Sequence, residues 1–251
     1  MRVEVLRDAV AVATHAASVI AAEARAAARA RGRFAFAVSG GSTAWLMLRA
    51  LAGEEVPWHA VHLFQVDERI APAGHAARTF THIRERLLRH VPLDTSSVHP
   101  MGVEASDLDA AAARYAEELR TVAGSPPTLD LIHLGLGADG HTASLVPGDP
   151  ALQVADADVA LTGSYQGRRR MTLTFPVLDR ARRLLWVVTG EEKAQMVSRL
   201  RVGDSSIPAG RVRAERALLL ADAAAGAGLA SSRRRRPRAD AAIDRDQRRR
   251  R

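Results

Sequence analysis

The sequence predicts an α/β protein built on a doubly wound, mostly parallel sheet with flanking helices, a Rossmann-like arrangement. Three observations carry this. Short apolar runs of strand length alternate along the chain with longer segments of helical periodicity. Polar clusters follow Val38, Val66, Leu136 and Thr189, at strand ends, which is where open α/β sheets place their ligands. No internal repeat or interior linker interrupts the pattern, so one domain over residues 1–230 and a tail over 231–251 is the economical division.

The elements follow in order. Ala9–Ala30 reads as a surface helix, with Val12, Ala16, Val19 and Glu23 marking its stripe and rim. Glu4 and Asp8 precede its apolar part and His15, Glu23, Arg25 and Arg29 interrupt it, the pattern of neither a spanning helix nor a signal peptide. Phe34–Val38 is a strand ending at Ser39-Gly40-Gly41-Ser42-Thr43, and Ala44–Leu51 is helical. Val61–Val66 is the next strand, closed by Asp67-Glu68-Arg69. A helix over Thr79–His90 and a short strand near Val98–Met101 come next. Asp107–Val122 is a helix with Leu108, Ala112, Tyr115 and Leu119 at core spacing. Pro126-Pro127 breaks the chain before Leu129–Leu136, a buried strand. Met171–Phe175 and Leu184–Thr189 are further strands around a short helix; Gly190 introduces a helix through Leu200, and Ala217–Ala221 is the final strand.

Composition bounds the chemistry. Of 251 residues 47% are apolar but only 4% aromatic, so the core is built from Val, Leu, Ile and Ala. The absence of cysteine excludes a disulfide, a zinc–thiolate site and a cysteine nucleophile, and it fits a cytoplasmic protein. The formal charge of +8 is concentrated at one end: Ser231–Arg251 holds ten arginines against three aspartates, leaving residues 1–230 near neutrality. A segment so poor in apolar residues cannot offset its ordering entropy and reads as a disordered extension. It lacks the interleaved aromatics of a nucleic-acid stacking platform, so no specific nucleic-acid partner is expected.

Four clusters can carry chemistry. In Ser39-Gly40-Gly41-Ser42-Thr43, glycines let the backbone approach an anion and the amides of the next helix can bind phosphate; a plain strand-to-helix turn with a Ser/Thr N-cap reads equally well. In Asp67-Glu68-Arg69, the arginine suits a phosphate or carboxylate and the aspartate can orient a hydroxyl or a histidine, while Glu68 is better read as half of an internal ion pair. The most informative stretch is Leu134-Gly135-Leu136-Gly137-Ala138-Asp139-Gly140-His141-Thr142-Ala143-Ser144. It presents an imidazole that can shuttle a proton, a carboxylate two residues away to fix its tautomer, and loop amides for an oxyanion. Arg170 opens a strand, and Lys193 at a helix start can reach an anion held by neighbouring amides. His59, His62, His82, His90, His99 and His133 show no metal-site spacing and read as surface or packing residues.

Taken together and in this order, these motifs resemble the 6-phosphogluconolactonase family. Arg69-(two residues)-Pro72-(two)-His75, the run to Pro147-Gly148, Arg170-Met171-Thr172-Leu173-Thr174 and Gly190-(two)-Lys193-Ala194 extend the resemblance over roughly residues 3–222. It implies hydrolysis of a phosphorylated hexonolactone with His141 as base and then acid. Asp139 and Asp67 would orient it or the sugar hydroxyls, and Arg69 would meet substrate or developing charge. Gly40, Gly41, Ser42, Thr43, Arg170 and Lys193 would form the phosphate grip. No metal or organic cofactor is implied, and the partner is a phosphorylated sugar lactone; a cytoplasmic monomer with no membrane contact is the favoured state. Two positions depart from the family pattern. Arg78-Thr79 stands where a small polar pair is usual, and Ala71 replaces a valine-like residue. A glucosamine-6-phosphate deaminase shares the Asp-Gly-His loop but would need a glutamate where this chain has Leu145-Val146. A sensor that binds the sugar phosphate without turnover, or a fold-mate acting on another phosphorylated ester, are the remaining readings.

Overall fold

The computed structural model describes residues 1–233, so the arginine-rich segment from residue 234, and with it the expectation of a disordered tail, lies outside the described residues. Along the chain run β1 (Arg2–Leu6), α1 (Ala9–Arg31), β2 (Phe34–Val38), α2 (Ser42–Leu51), β3 (Val61–Gln65), β4 (Asp67–Arg69), α3 (Thr79–Arg86), β5 (Val98–His99), α4 (Leu108–Ala123) and β6 (Leu131–Leu134). They are followed by β7 (Val159–Leu161), β8 (Arg170–Leu173), α5 (Phe175–Arg180), β9 (Leu184–Val188), α6 (Ala194–Arg201), α7 (Pro208–Arg211), β10 (Ala217–Asp222) and α8 (Ala223–Arg233).

Seven strands pair in the order β1-β10-β9-β6-β2-β3-β5, and every pairing is parallel. The central strands are buried on both faces, which is why they read as continuous apolar runs. Alternation sorts their side chains into two cores. Phe34, Phe36, Val38, Leu185 and Val187 meet α1, α2 and α3 on one face; Ala35, Ala37, Leu184, Trp186 and Val188 meet α4, α6 and α8 on the other. Alanines at 13, 16, 17, 21 and 24 give α1 a smooth buried face against which α2 packs closely. Asp8 caps α1, its carboxylate accepting from Ala11 N at 2.8 Å, and Gly32 ends it at φ 71°.

The chain winds towards one sheet edge from β2 through β3 to β5, and towards the other from β6 through β9 to β10. The reversal falls between the adjacent strands β2 and β6, and at such a switch point a crevice opens beyond the carboxyl ends.

The structure corrects the expected architecture in three places. Asp67-Glu68-Arg69 is not a closing loop but β4, and β8 does not join the main sheet; with β7 they form a separate antiparallel sheet in the order β4-β8-β7. The chain peels away at Val66, whose N–H donates to Val38 while its carbonyl accepts from Leu173, stitching the two sheets together. An apolar run reveals burial but not which strand it pairs with, and Asp-Glu-Arg has no strand propensity to betray it. Second, β1 is an additional edge strand whose residues 2–6 pair with 218–222. Third, the final strand is followed by a further helix, α8, over Ala223–Arg233.

Candidate active site

A cleft of about 300 Å³ opens at the ends of β2, β6 and β9 and is closed on one side by the small sheet. Gly40, Gly41, Ser42, Thr43, Asp67, Arg69, His141, Arg170 and Lys193 all line it, although they span more than 150 residues of sequence. Asp139 sits behind His141 rather than on the cleft wall.

The glycine turn bears on one of its two readings. The residue preceding α2 is Gly41 at φ 135°, a conformation that disfavours any side chain, and no side chain among the described residues caps the helix. The first amides of α2 therefore keep their donor capacity for an anion, and the Ser/Thr N-cap reading is replaced. A Cβ on Gly40 would press on Thr79 Oγ1 and the Arg69 guanidinium at 3.0 and 3.2 Å. Ser39 Oγ is buried in the same wall without a hydrogen-bond partner among the described residues. Thr43 Oγ1 lies 2.6 Å from Thr189 Oγ1 and ties this turn to the end of β9. Lys193 follows on a short 3-10 turn and makes no ion pair among the described residues.

The loop after β6 folds tightly on itself. Gly137 N donates to His141 O at 2.8 Å, and a Cβ at Gly137 would collide with the His141 ring. His141 Nδ1 lies 2.5 Å from Asp139 Oδ1, which also accepts from the His141 amide at 3.2 Å. Burial alone would raise the Asp139 pKa, but the hydrogen bonds and charge of His141 and the Tyr165 hydroxyl together hold it below the usual carboxylate value. An ionised Asp139 is acceptor-only, so a neutral His141 carries its proton on Nδ1 and leaves Nε2 with a free lone pair.

Across the cleft the small sheet supplies the charges. Arg69 and Arg170 are opposite each other in the β4–β8 register, a like-charged cross-strand pair that an anion between them would relieve. Burial first, and then Arg69, lower the Arg170 pKa, opposed by Asp67, Tyr165 and Asp139. Asp67 is buried and its Oδ2 accepts from Ser144 Oγ at 2.6 Å; Arg170 reaches the same hydroxyl at 3.5 Å. Arg69 donates to Thr79 Oγ1 at 3.1 Å.

Glu68 is wholly buried and meets the expectation of an internal ion pair, with Arg78 Nε at 3.1 Å. Its oxygens also accept from Gln65 Nε2 and from the amides of Arg69, Thr79 and Phe80 at 2.7–2.9 Å, so it caps the start of α3 from another strand. Arg78 is therefore not an added charge in the cleft: it is the counter-ion of Glu68 and also donates to Ala71 O at 3.0 Å.

Residues 7–220 match the family model described as glucosamine-6-phosphate isomerases/6-phosphogluconolactonase. The chain belongs to this family. It is 33% identical over 235 residues to a 6-phosphogluconolactonase of Nostoc sp., covering 90% of this chain and 98% of that one. To a 6-phosphogluconolactonase of Synechocystis sp. it is 39% identical over 166 residues, covering 64% of this chain and 69% of the relative. The solved 6-phosphogluconolactonase of Thermotoga maritima superposes with a TM-score of 0.78 at 25% identity, over 88% of this chain and 98% of that one.

Within this family frame, several site residues escaped the sequence reading. His133 is buried, lines the cleft and accepts from Ser39 N at 3.3 Å; burial lowers its pKa to about 3, so it stays neutral and props the glycine turn. Its only sequence signal is a histidine inside an apolar strand. Tyr165 reaches Asp139 from the β7–β8 connection, and its Gly-Ser-Tyr-Gln-Gly context signals a turn and nothing more. Glu192, a cleft-lining neighbour of Lys193, gave no signal either. Among the described residues no group of three or more His, Cys, Asp or Glu is arranged to hold a metal, and no helix is long and apolar enough to cross a membrane.

Proposed function

We propose that this chain hydrolyses 6-phospho-D-glucono-1,5-lactone to 6-phosphogluconate, the ring-opening step of the oxidative pentose phosphate pathway. One observation carries this: an imidazole with Nε2 available, oriented by Asp139, shares a single cleft with Arg69, Arg170, Lys193 and the uncapped start of α2. The cationic groups and amides suit a phosphoryl group; the imidazole suits the ester carbonyl.

In this reading the phosphoryl group sits among the α2 amides, Ser42, Thr43, Arg170 and Lys193. Asp67, fixed by Ser144, orients a sugar hydroxyl, and Arg69 meets charge developing near the carbonyl. Nε2 of His141 takes a proton from water as its oxygen bonds to the lactone carbonyl carbon. The resulting imidazolium, stabilised by Asp139, then donates that proton to the ring oxygen as the acyl–oxygen bond breaks. One water is added across one ester bond, and the product carboxylic acid ionises at neutral pH. A lactone is already activated, so one proton shuttle and a charge-stabilising site suffice. The same reading takes the protein as a cytoplasmic monomer.

The deaminase reading lacks support where it needs it. Leu145 and Val146 are buried and apolar, so no carboxylate is available there for a proton relay. A non-catalytic sensor would have no use for a tautomer-fixed imidazole. Freshly generated lactone mixed with the protein should disappear faster than its spontaneous hydrolysis, measured as acid release, while glucosamine 6-phosphate should yield no ammonia. Lactone loss at the spontaneous rate would sink the proposal.

A further inference from the structure

The Asp139–His141 pair is local, two residues apart on a glycine-rich loop, and the Asp139 side chain is 36% exposed. Within that loop nothing occupies Oδ2. The occupant comes from elsewhere: Tyr165 OH donates to Asp139 Oδ2 at 3.0 Å, while Oδ1 is committed to His141. The same ring stands edge-on to His141 at 5.4 Å and 66°, and the Arg170 guanidinium lies over its face, 4.9 Å from the centroid. Tyr165 thus touches the anion-binding arginine, the carboxylate and the imidazole.

Its placement is built into the backbone. Tyr165 and Arg168 form a β-bridge closing a two-residue turn, with Gln166 at φ 52° and Gly167 at φ 76°. Two successive positive φ values are the mark of a type I′ hairpin, whose twist matches its flanking strands. Gln166, a residue that adopts such a conformation at some cost, also accepts from Arg170 at 3.5 Å. Burial, and then the hydrogen bond to Asp139, raise the pKa of the Tyr165 hydroxyl, so it remains a donor at neutral pH.

We propose that Tyr165 is a positioning residue that holds Asp139 in line with His141 Nδ1 and, through its stacked ring, ties that alignment to Arg170. The assignment rests on the lactonase reading and on His141 as its base. Charged and titratable groups facing Asp139 are His141 on its own loop, Tyr165 on the hairpin and, at longer range, Arg170 on β8. With the hydroxyl removed, Oδ2 loses its donor, Asp139 becomes freer to rotate, and its undivided charge favours the imidazolium more strongly.

The test compares Tyr165→Phe and Tyr165→Leu with wild type on the freshly generated lactone, with His141→Ala alongside. For Tyr165→Phe, kcat should fall about tenfold with KM within about twofold, the scale expected of a misaligned catalytic group. The acid limb of its pH–rate profile should move upward by about half a pH unit, a change that a merely structural role would not produce. Tyr165→Leu should show the same fall in kcat and, lacking the ring under Arg170, a KM raised about fivefold. If His141→Ala abolishes turnover but Tyr165→Phe keeps wild-type kcat and pH profile, the positioning role is wrong and the lactonase reading stands. If His141→Ala retains wild-type turnover, the assigned base is wrong and the role of Tyr165 falls with it.

Discussion

The wall of the cleft that carries Ser39–Thr43 and Lys193 offers chiefly backbone: a glycine at φ 135°, the uncapped amides of α2, and one lysine without an ion-pair partner among the described residues. The facing wall is made of side chains, and each is tied to a neighbour: Asp67 to Ser144, Arg69 to Thr79, and Arg170 to Ser144, Gln166 and the Tyr165 ring. Behind that second wall lies Glu68, buried and shared among Arg78 and the start of α3. The difference is one of substitutability. Backbone donors survive the loss of any one side chain, whereas a network of paired charges fails when one member is removed.

The largest effect should therefore fall on the side-chain wall. On the proposed phosphate grip, Arg170→Ala should lower kcat/KM about 10³-fold, equivalent to about 4 kcal/mol, because it would remove a planar donor from the anion and leave Tyr165 without its stacking partner. Arg170→Lys should recover little of this, since an ammonium cannot reproduce the guanidinium's fork or its stacking. Steady-state kinetics on the lactone would check both. A Lys variant with wild-type kcat/KM would show that the wall supplies only charge.

Next comes Glu68→Gln, which leaves the buried Arg78 beside a neutral amide, with the half-exposed Glu104 carboxylate at 3.7 Å as its remaining acidic partner among the described residues. Denaturant unfolding should show a loss of about 3 kcal/mol. Equal stability in variant and wild type would mean that the buried pair does not hold the second wall. By contrast Lys193→Ala, on the backbone wall, should raise KM about tenfold and leave kcat within about threefold, the α2 amides retaining most of the grip.

The smallest effect concerns His133. Its folded-state pKa of about 3 lies below the ordinary value of 6.5. Above pH 6.5 both folded and unfolded states hold it neutral. As pH falls from 6.5 towards 3 the unfolded chain takes up a proton that the folded one cannot, so stability is lost. Between pH 7 and pH 6 this amounts to about 0.7 kcal/mol. His133→Asn, which keeps an acceptor for Ser39 N, should flatten that part of the stability–pH curve; an unchanged slope would show that His133 titrates in the folded state.

Legibility followed the same division. The backbone wall is partly legible: glycines after an apolar strand signal a turn without deciding between an anion cradle and a plain strand-to-helix turn, while the strand-end positions of Ser39–Thr43, Gly135–Ser144 and Lys193 on a parallel sheet point to one crevice. Asp67, Arg69 and Arg170 are each legible as charged strand-end residues, but nothing in the sequence shows that they stand on a second, antiparallel sheet that sets Arg69 opposite Arg170. Periodicity carries no information on strand partners. Arg78 shows this most sharply: in sequence it is a departure from the family pattern, and only the tertiary contact with Glu68 turns it into a structural counter-ion. Tyr165 is the converse, a residue in a turn whose role depends on a carboxylate 26 positions earlier.

The most direct trial is turnover of freshly generated 6-phosphogluconolactone by wild type and His141→Ala, paired with binding of 6-phosphogluconate to each by calorimetry. The expected result is a fall in kcat of at least about 100-fold with product affinity kept within a few-fold, since the proposed grip is formed by other residues of the cleft. Turnover that survives the loss of the imidazole, or affinity that collapses with it, would contradict a site in which one end holds the phosphoryl group and the other moves the proton.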